Sequence, residues 1–436
     1  MPKGHQALHF MRVLEPVFTK PSFITFMRLV AGWILCPSRR TITGIYPFAD
    51  TWRERVVQVY HYFFREASWK QADLFAHWTR YLVATLYAGQ KELLLSIDDT
   101  THKKTGRKIN GARTCRDAVR STTRDTVFCW ALQYIPLCLV FHPPWGGEPL
   151  SIPVNVRLNR KAREGEAPVT LLDHTESMLR ELALWLPEHT FRLVADGAYA
   201  TLAGRLPPRV TLVSRLRADA ALYELPPSRK SGTRGRPRRK GARLPKPREL
   251  AKEASSSEWR LLQTSERGQL RERLLYCRVV VWAYVSKNPL LLIISRDPSG
   301  KEADDFFFST DTTISPSLAV SDFADRWSVE DTFRNVKQYL GAEQPQSWKD
   351  IAPERAGAFS YMLYGVVWLA RLEREGEEVA SLEREWYREK DCVSFLDALA
   401  DLRQQLWDER IIAMSSQNSN YLIIQKLLIQ ALAWVA

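Results

Sequence analysis

The sequence predicts an α/β protein in which a strand-rich centre lies between two helical regions. Apolar residues recur at helical spacing in residues 1–90, for example in "TWRERVVQVYHYFFREA". From Leu93 the pattern changes to short apolar runs separated by Pro, Gly and Asp, and after Ser317 helical spacing returns. The chain has 436 residues, 45% of them hydrophobic, and is therefore long enough to bury a full core.

The order of the central elements narrows the fold. Strand-like runs come first, in "LLLSIDDT", "TVFCWALQYI", "LCLVFH" and "SIPVNVRL". A helical segment follows at 169–187 and ends at proline, and two further apolar runs, "FRLVADGAY" and "RVTLVSRL", are typical of buried strands. Three strands, a helix, a strand, a helix and a strand is the order expected of an RNase H-like catalytic core.

A β-rich insertion is predicted to interrupt this core. Between Leu216 and Pro316 lie a basic segment and several strand-like runs, such as "VVVWAYVS" and "PLLLIIS". The predicted regions are a helical N-terminal DNA-binding region at 1–90, the first part of the core at 91–216, a basic linker plus β-rich insertion at 217–316, the second part of the core at 317–370, and a C-terminal helical region at 371–436.

Cysteine usage and hydropathy indicate the class of protein and its compartment. The six cysteines contain no CxxC pair, which argues against zinc sites and against a disulfide framework. The N-terminus lacks the apolar core of a signal peptide, and the longest apolar runs have the length of strands. We therefore expect a cytoplasmic protein without a membrane partner.

The net charge of +13 favours a polyanionic partner, because Lys and Arg bind nucleic acids through their phosphates. Ten basic residues and no acid lie between Arg229 and Arg248, and without them the net charge would be +3. A solvated linker is the alternative interpretation. Within the segment, "RGRP" resembles the core of an AT-hook, which binds a narrow minor groove. The candidate DNA-binding residues are Arg234, Arg236, Arg238, Arg239 and Lys240.

Two predicted strands end in aspartate, at Asp98 with its neighbour Asp99, and at Asp196. The carboxyl ends of parallel strands are where open α/β sheets bind ligands, although Asp is also a common turn residue. Strand alternation sends Asp98 and Asp99 to opposite faces, so only one of them can join a cluster. Converging with Glu330, these carboxylates would need cations, and hard divalent ions such as Mg²⁺ suit oxygen ligands.

Glu330 lies in a run with an apolar stripe formed by Val329, Phe333, Val336 and Leu340. Arg326, Glu330 and Lys337 form a second row beside this stripe. Charges at the edge of a core are either a structural ion pair or part of a site.

The motifs resemble those of the DDE transposases of bacterial insertion sequences, in the cut-and-paste group with a Tyr-Arg-Glu-Lys signature. In "FADRWSVEDTFRNVK" the four positions are Phe323, Arg326, Glu330 and Lys337, so three of the four match at the required spacing. Phe323 departs from the signature because it lacks the tyrosine hydroxyl. "IDDTTHKKTG" and "VADGAYA" are similar to the first and second aspartate motifs of the group.

The resemblance implies that Asp98, Asp196 and Glu330 are the catalytic metal ligands for two Mg²⁺ ions, which Mn²⁺ can replace. It implies that Arg326 and Lys337 clamp DNA phosphates. The implied partners are double-stranded DNA, at the terminal repeats and at the target, and a second subunit when two DNA ends are synapsed. The implied location is the bacterial nucleoid.

Trp282 in the insertion is a candidate for stacking on a flipped base, and a buried core tryptophan is the alternative. Two other functions stay open for the whole chain. One is a DNA-binding protein derived from a transposase that no longer catalyses a reaction. The other is a different metal-dependent nuclease on an RNase H-like core, such as a junction resolvase.

Overall fold

A computed structural model describes residues 6–117, 119–122, 124–162, 164–227, 238–374, 376 and 392–414. The first described residues form helices. They are a 3₁₀ helix (Gln6–Val17), α1 (Lys20–Leu35), α2 (Ile42–Ala49), α3 (Val57–Arg65) and α4 (Gln71–Leu86). Thr19 and Thr41 cap α1 and α2 by accepting hydrogen bonds from backbone amides of the first helical turn.

Five strands follow, all linked through the fourth. They are β1 (Glu92–Ile97), β2 (Thr100–Lys103), β3 (Arg113–Arg116), β4 (Phe128–Phe141) and β5 (Leu150–Asn159). β4 is long enough to pair in antiparallel fashion with the other four. It pairs with β1 near its carboxyl end and with β2 and β3 near its start.

The chain then crosses the sheet through α5 (Leu171–Trp185) and returns as β6 (Thr190–Ala195) and β7 (Val210–Arg215). β6 is parallel to both β1 and β7, which gives the order β5-β4-β1-β6-β7. The predicted helix between the last two strands is a short 3₁₀ helix, Gly197–Gly204. This mixed sheet agrees with the predicted RNase H-like core.

Four more strands extend the same sheet beyond β7. After α6 (Pro247–Glu253) come β8 (Arg260–Glu266), β9 (Gln269–Val280), β10 (Leu290–Arg296) and β11 (Asp305–Ser309). β11 pairs with β7 in antiparallel fashion, and the order continues β10-β9-β8. The strands of the insertion therefore lengthen the core sheet.

The described part of the chain ends in helices: α7 (Pro316–Asp325), α8 (Ser328–Gln338), α9 (Ala352–Leu372) and α10 (Phe395–Met414). α9 is buried around almost its whole circumference, which is typical of a helix at the centre of a core. Gly357 allows this packing, because a Cβ there would lie 2.2 Å from the ring of Tyr134 on β4. None of the helices within the described ranges combines the length and the apolar character needed to cross a membrane.

The buried apolar side chains form a large cluster and a smaller one. The large cluster joins the N-terminal helices, α5, α8 and α9 to the sheet. The smaller cluster contains the buried residues of α7. Successive residues of a strand, such as Leu193 and Val194 of β6, point to opposite faces of the sheet and belong to different clusters. α7 therefore packs in one cluster and α8 in the other, and the turn between them lies beside the catalytic candidates.

Candidate active site at the carboxyl ends of β1 and β6

Two aspartates lie next to each other where two neighbouring parallel strands end. Ile97 of β1 is opposite Ala195 of β6, and these are the last residues of the two strands. Asp98 and Asp196 therefore follow directly at neighbouring strand ends. The charge of Asp196 contributes to raising the pKa of Asp98, so the two carboxylates lie within electrostatic reach of each other. This end of the sheet is where α/β folds bind their ligands.

Asp98 is a mostly buried carboxylate with a strong ion pair. Its Oδ2 accepts a hydrogen bond from Nη1 of Arg326 at 2.9 Å, and its Oδ1 accepts one from the backbone amide of Asp99 at 2.8 Å. Burial raises the pKa of Asp98 to about 6 because the charged form loses hydration, and the charge of Arg326 opposes that rise. A further cation at this position would favour the ionised carboxylate.

Asp99 has a different set of neighbours. Its Oδ2 accepts a hydrogen bond from the side-chain amide of Gln133. Burial raises the pKa of Asp99, whereas the Gln133 hydrogen bond and the positive charge of Arg113 act in the opposite direction. Of the two adjacent aspartates, Asp98 is the one paired with Arg326, and this favours it as the member of the site.

The guanidinium of Arg326 lies between Asp98 and Glu330. Its Nη2 is 3.5 Å from Oε1 of Glu330, on the side away from the bond to Asp98. The guanidinium carbon is 5.5 Å from the ring centroid of Phe323 and 5.3 Å from that of Trp327. With 8% of its side chain exposed, Arg326 is a buried cation held by two carboxylates and two rings.

Arg326 lies in a turn, two residues before the first residue of α8. The sequence pattern treats Arg326 to Gly341 as one helical run, but α7 ends at Asp325 and α8 starts at Ser328. The backbone amides of Arg326 and Trp327 bond to carbonyls three residues earlier, which gives a tight turn between the helices. Despite this break, Arg326 still reaches Glu330 in the first turn of α8.

A chain of buried hydroxyl groups fixes α8 to the sheet. Oγ of Ser151 on β5 lies 2.7 Å from Oγ of Ser96 on β1 and 2.6 Å from Oγ of Ser328. Thr332, one turn along α8, donates to the carbonyl oxygen of Ser151 at 2.8 Å. The four predicted apolar positions of this region, Val329, Phe333, Val336 and Leu340, are buried on the same packing surface. The position of Glu330 is therefore set by two strands as well as by its own helix.

Glu330 borders a cavity of about 440 Å³, next to the half-exposed Trp327. Arg267, at the tip of the β8–β9 hairpin, lies over the Trp327 ring at 4.7 Å. Partial burial raises the pKa of Glu330, and the charge of Arg326 opposes this rise. The cavity gives a ligand access to Glu330 from the solvent side.

Lys337 reaches the same end of β1 from the last turn of α8. Its Nζ donates to Oγ1 of Thr100 at 2.7 Å, two residues after Asp98. Burial lowers the pKa of Lys337, and the carboxylate of Glu343 opposes this effect. Arg326, in the turn before α8, thus pairs with Asp98, and Lys337, in the last turn of α8, bonds to Thr100 two residues further along the chain.

Tyr199 is a residue of this site that sequence reasoning missed. It is 1% exposed, and its hydroxyl has no hydrogen-bond partner among the described residues. Burial raises its pKa far above the usual value, and the charges of Asp99, Asp98 and Asp196 raise it further. Residues three apart share a face of a 3₁₀ helix, so the spacing of Asp196 and Tyr199 would have been the signal, had that helix type been predicted.

Two other candidate sites lie apart from this edge or outside the described residues. Trp282 is 5% exposed and packs edge-on against Phe308, so a base can reach its ring only if this packing opens. Arg234 and Arg236 lie outside the described residues. Arg238, Arg239 and Lys240 are exposed, and Nζ of Lys240 lies 3.7 Å from the ring centroid of Tyr223.

The donor atoms of the site suit a hard divalent cation. Asp98 and Asp196 directly follow paired residues of the neighbouring strands β1 and β6, and Asp98 and Glu330 share one guanidinium as their counter-cation. No three acidic, histidine or cysteine side chains in the described ranges are grouped closely enough to hold one ion. Carboxylate oxygens are the donors that such an ion prefers, but Asp98, Asp196 and Glu330 lie too far apart here to hold one ion together, and Arg326 supplies the positive charge between Asp98 and Glu330.

Comparison with known protein families gives a match over most of this region. A family described as DDE superfamily endonuclease matches residues 14–273, more than half of the chain, including Asp98 and Asp196. No curated protein matches the chain. DDE superfamily nucleases use divalent metal ions, in agreement with the oxygen donors at the ends of β1 and β6. The chain belongs to the DDE superfamily of endonucleases.

Proposed function

We propose that this protein is a DNA transposase that cuts DNA at the ends of a mobile element and joins the freed 3′-hydroxyls to target DNA. The observation that carries the proposal is the juxtaposition of Asp98 and Asp196 at adjacent strand ends, with Glu330 joined to Asp98 through Arg326. Membership of the DDE superfamily supports the same class of reaction.

The signature residues support assignment to the cut-and-paste group with the Tyr-Arg-Glu-Lys signature. Arg326, Glu330 and Lys337 occur at the spacing of that signature, and Arg326 and Lys337 both contact residues at the end of β1. Phe323 takes the tyrosine position and packs its ring on Phe307 and near Arg326. The ring therefore supports Arg326 without offering a hydroxyl to DNA.

Asp98, Asp196 and Glu330 would hold two Mg²⁺ or Mn²⁺ ions, which would activate the attacking oxygen and neutralise the charge that develops on the leaving oxygen. The basic side chains of the site would bind the DNA rather than the metal ions. Arg326 offers a planar fork and Lys337 a point charge, and both suit the phosphate oxygens beside the scissile bond. No covalent bond between the enzyme and DNA is needed.

The partner in this proposal is double-stranded DNA, first as the element's terminal repeats and then as the target. Joining two element ends requires two active sites, so we propose a homodimer on synapsed DNA. The protein would work at the bacterial nucleoid. The exposed Arg238, Arg239 and Lys240 would add phosphate contacts at the edge of the insertion.

The test is cleavage of a supercoiled plasmid that carries the DNA flanking the gene, with Mg²⁺, by wild type and by Glu330→Gln. We expect the wild type to cut at the element's ends. Glu330→Gln keeps the size of the side chain but loses its charge, so the cleavage rate should fall at least about 100-fold while DNA binding is kept.

Other results would contradict the proposal in distinct ways. Binding without cleavage by both proteins would identify an inactive DNA-binding derivative. Cutting of branched DNA without joining of 3′-ends would identify a resolvase-type nuclease. Equal cleavage by wild type and Glu330→Gln would remove Glu330 from the site.

A further inference from the structure

An extension of the catalytic sheet projects past the end of β1. β4 pairs with β1 only near Leu137, which is opposite Ile97, and continues back to Phe128, where it pairs with β3. The nine residue steps from Leu137 back to Phe128 correspond to roughly 30 Å of strand. We name β3, the first residues of β4 and the described residues between them the β3–β4 arm. The arm lies beyond the same strand end that carries Asp98.

The arm carries exposed basic side chains. Arg116, Arg120 and Arg124 are exposed, and in the part of the chain that the structure describes none of them has a carboxylate within 4.0 Å. Asp117 is already engaged, because it pairs with Nζ of Lys103 at 2.7 Å and accepts hydrogen bonds from the backbone amides of Val119 and Arg120. The arm's other acid, Asp125, is exposed and forms no ion pair with these arginines among the described residues, so the arginines still outnumber the acids of the arm.

The tip of the arm has defined local structure. Ser121 and Val127 exchange hydrogen bonds through the serine hydroxyl, and Thr122 accepts hydrogen bonds from the backbone amides of Arg124 and Asp125. The arm also exposes two apolar side chains, Val119 at 93% and Phe128 at 63%. An ordered tip loses little conformational freedom when it binds, and apolar groups among arginines suit the sugar-phosphate surface of a duplex.

We infer that the β3–β4 arm binds the backbone of duplex DNA next to the scissile phosphate, through Arg116, Arg120 and Arg124. The contact is independent of sequence, because arginines that reach phosphates carry no base information. This inference rests on the proposed function for the position of the scissile phosphate at Asp98. An acidic protein surface is the competing partner, but the position of the arm at the catalytic end of the sheet favours the DNA substrate.

The test compares the salt dependence of DNA binding between two double variants. Arg120→Ala with Arg124→Ala removes charge from the arm, and Lys91→Ala with Arg180→Ala removes two exposed charges elsewhere, at the amino end of β1 and on α5. Each pair is placed in a Glu330→Gln background without divalent metal, so the measurement does not depend on cleavage. The probe is a duplex without the element's ends, followed by fluorescence anisotropy across a series of salt concentrations.

The arm variant should lower the slope of log affinity against log salt by roughly 0.9 per lost phosphate contact, so by about 1.8 for two contacts. The control pair should leave the slope unchanged, and Arg120→Lys with Arg124→Lys should restore most of it. Equal slopes for arm and control variants, with circular dichroism showing both folded, would overturn the inference and favour an acidic protein partner. That result would leave the proposed function standing if the wild type cleaves plasmid, so the two ideas fail separately.

Discussion

Arg326 holds the central position among the residues of the site. It donates to Asp98 at 2.9 Å and lies 3.5 Å from Glu330, so one guanidinium neutralises two of the three carboxylates. A divalent ion bound to the same residues would share their oxygens with Arg326. Removing the arginine alone would leave like charges close together in a partly buried place, which is costly. In the proposed mechanism the same residue would therefore stabilise the site and contact the DNA phosphate.

If Asp98 is a metal ligand, as we propose, its raised pKa predicts that metal binding depends on pH. A carboxylic acid with a pKa of about 6 is mostly protonated at pH 5 and mostly ionised at pH 7. Because a metal ligand must be deprotonated, Mn²⁺ affinity should rise between pH 5 and 7 and level off above. Titration calorimetry at a series of pH values measures the Mn²⁺ affinity. Asp98→Asn should weaken binding and remove the pH dependence, whereas Asp99→Asn should keep the rise, and a flat wild-type profile would exclude Asp98 as a ligand.

The sequence indicates the strand ends of some candidate site residues but not the surroundings of others. Asp98 and Asp196 can be found because an aspartate after an apolar strand marks the ligand-binding end of a parallel sheet. Tyr199 cannot be found in this way, because its position beside the aspartates depends on the 3₁₀ helix that follows Asp196. The partners of Asp99 were also hidden, since Gln133 lies on a different strand, 34 residues away.

At the scale of elements, α8 is attached to the sheet by hydroxyl groups as well as by apolar packing. Ser151 of β5 contacts both Ser96 of β1 and Ser328 of α8, and all three side chains are buried. Small polar residues in strands and helices look like solvent-facing positions in a sequence. Here they join three elements, and the position of Glu330 depends on them.

Ser151→Ala should therefore destabilise the protein more than an ordinary serine substitution. It leaves the hydroxyls of Ser96 and Ser328 with fewer partners in a buried place, and the free energy of unfolding should fall by about 1–3 kcal/mol. Urea denaturation measures the change. The matched control is Ser68→Ala, at an exposed serine, where we expect a change within about 0.5 kcal/mol. Equal losses for the two variants would show that the hydroxyl chain does not hold α8.

Element boundaries were predicted less well than element types. The apolar stripe of Val329, Phe333, Val336 and Leu340 indicates a helix, and a helix forms there. The start of α8 at Ser328 was not predicted, because the turn at Arg326 and Trp327 keeps helical backbone angles and does not interrupt the pattern. The strand-like runs after Leu216 can be read from the sequence, but the pairing of β11 with β7 depends on contacts between distant segments.

At the scale of the whole molecule, one sheet of eleven strands carries the site and its surroundings. β1 and β6 place the aspartates, β5 holds the Glu330 helix, and β4 extends into the β3–β4 arm. The charge count of the sequence points to Arg229–Arg248 as the basic part of the chain. The arginines of the arm do not form a dense basic run in the sequence, because they are spread over a hairpin. Only the pairing of β3 with β4 brings them to the end of the sheet that carries Asp98.

The central claim is that Asp98, Asp196 and Glu330 form one divalent-metal site, and iron-directed cleavage of the polypeptide tests it most directly. Fe²⁺ bound in place of Mg²⁺, with ascorbate and peroxide, cuts the backbone next to the bound ion. We expect cuts near residues 98, 196 and 330 in the DNA-bound wild type, all suppressed by excess Mg²⁺ and all lost in Asp98→Asn. Cuts near 98 and 196 without one near 330, or cuts that Mg²⁺ does not suppress, would contradict the claim.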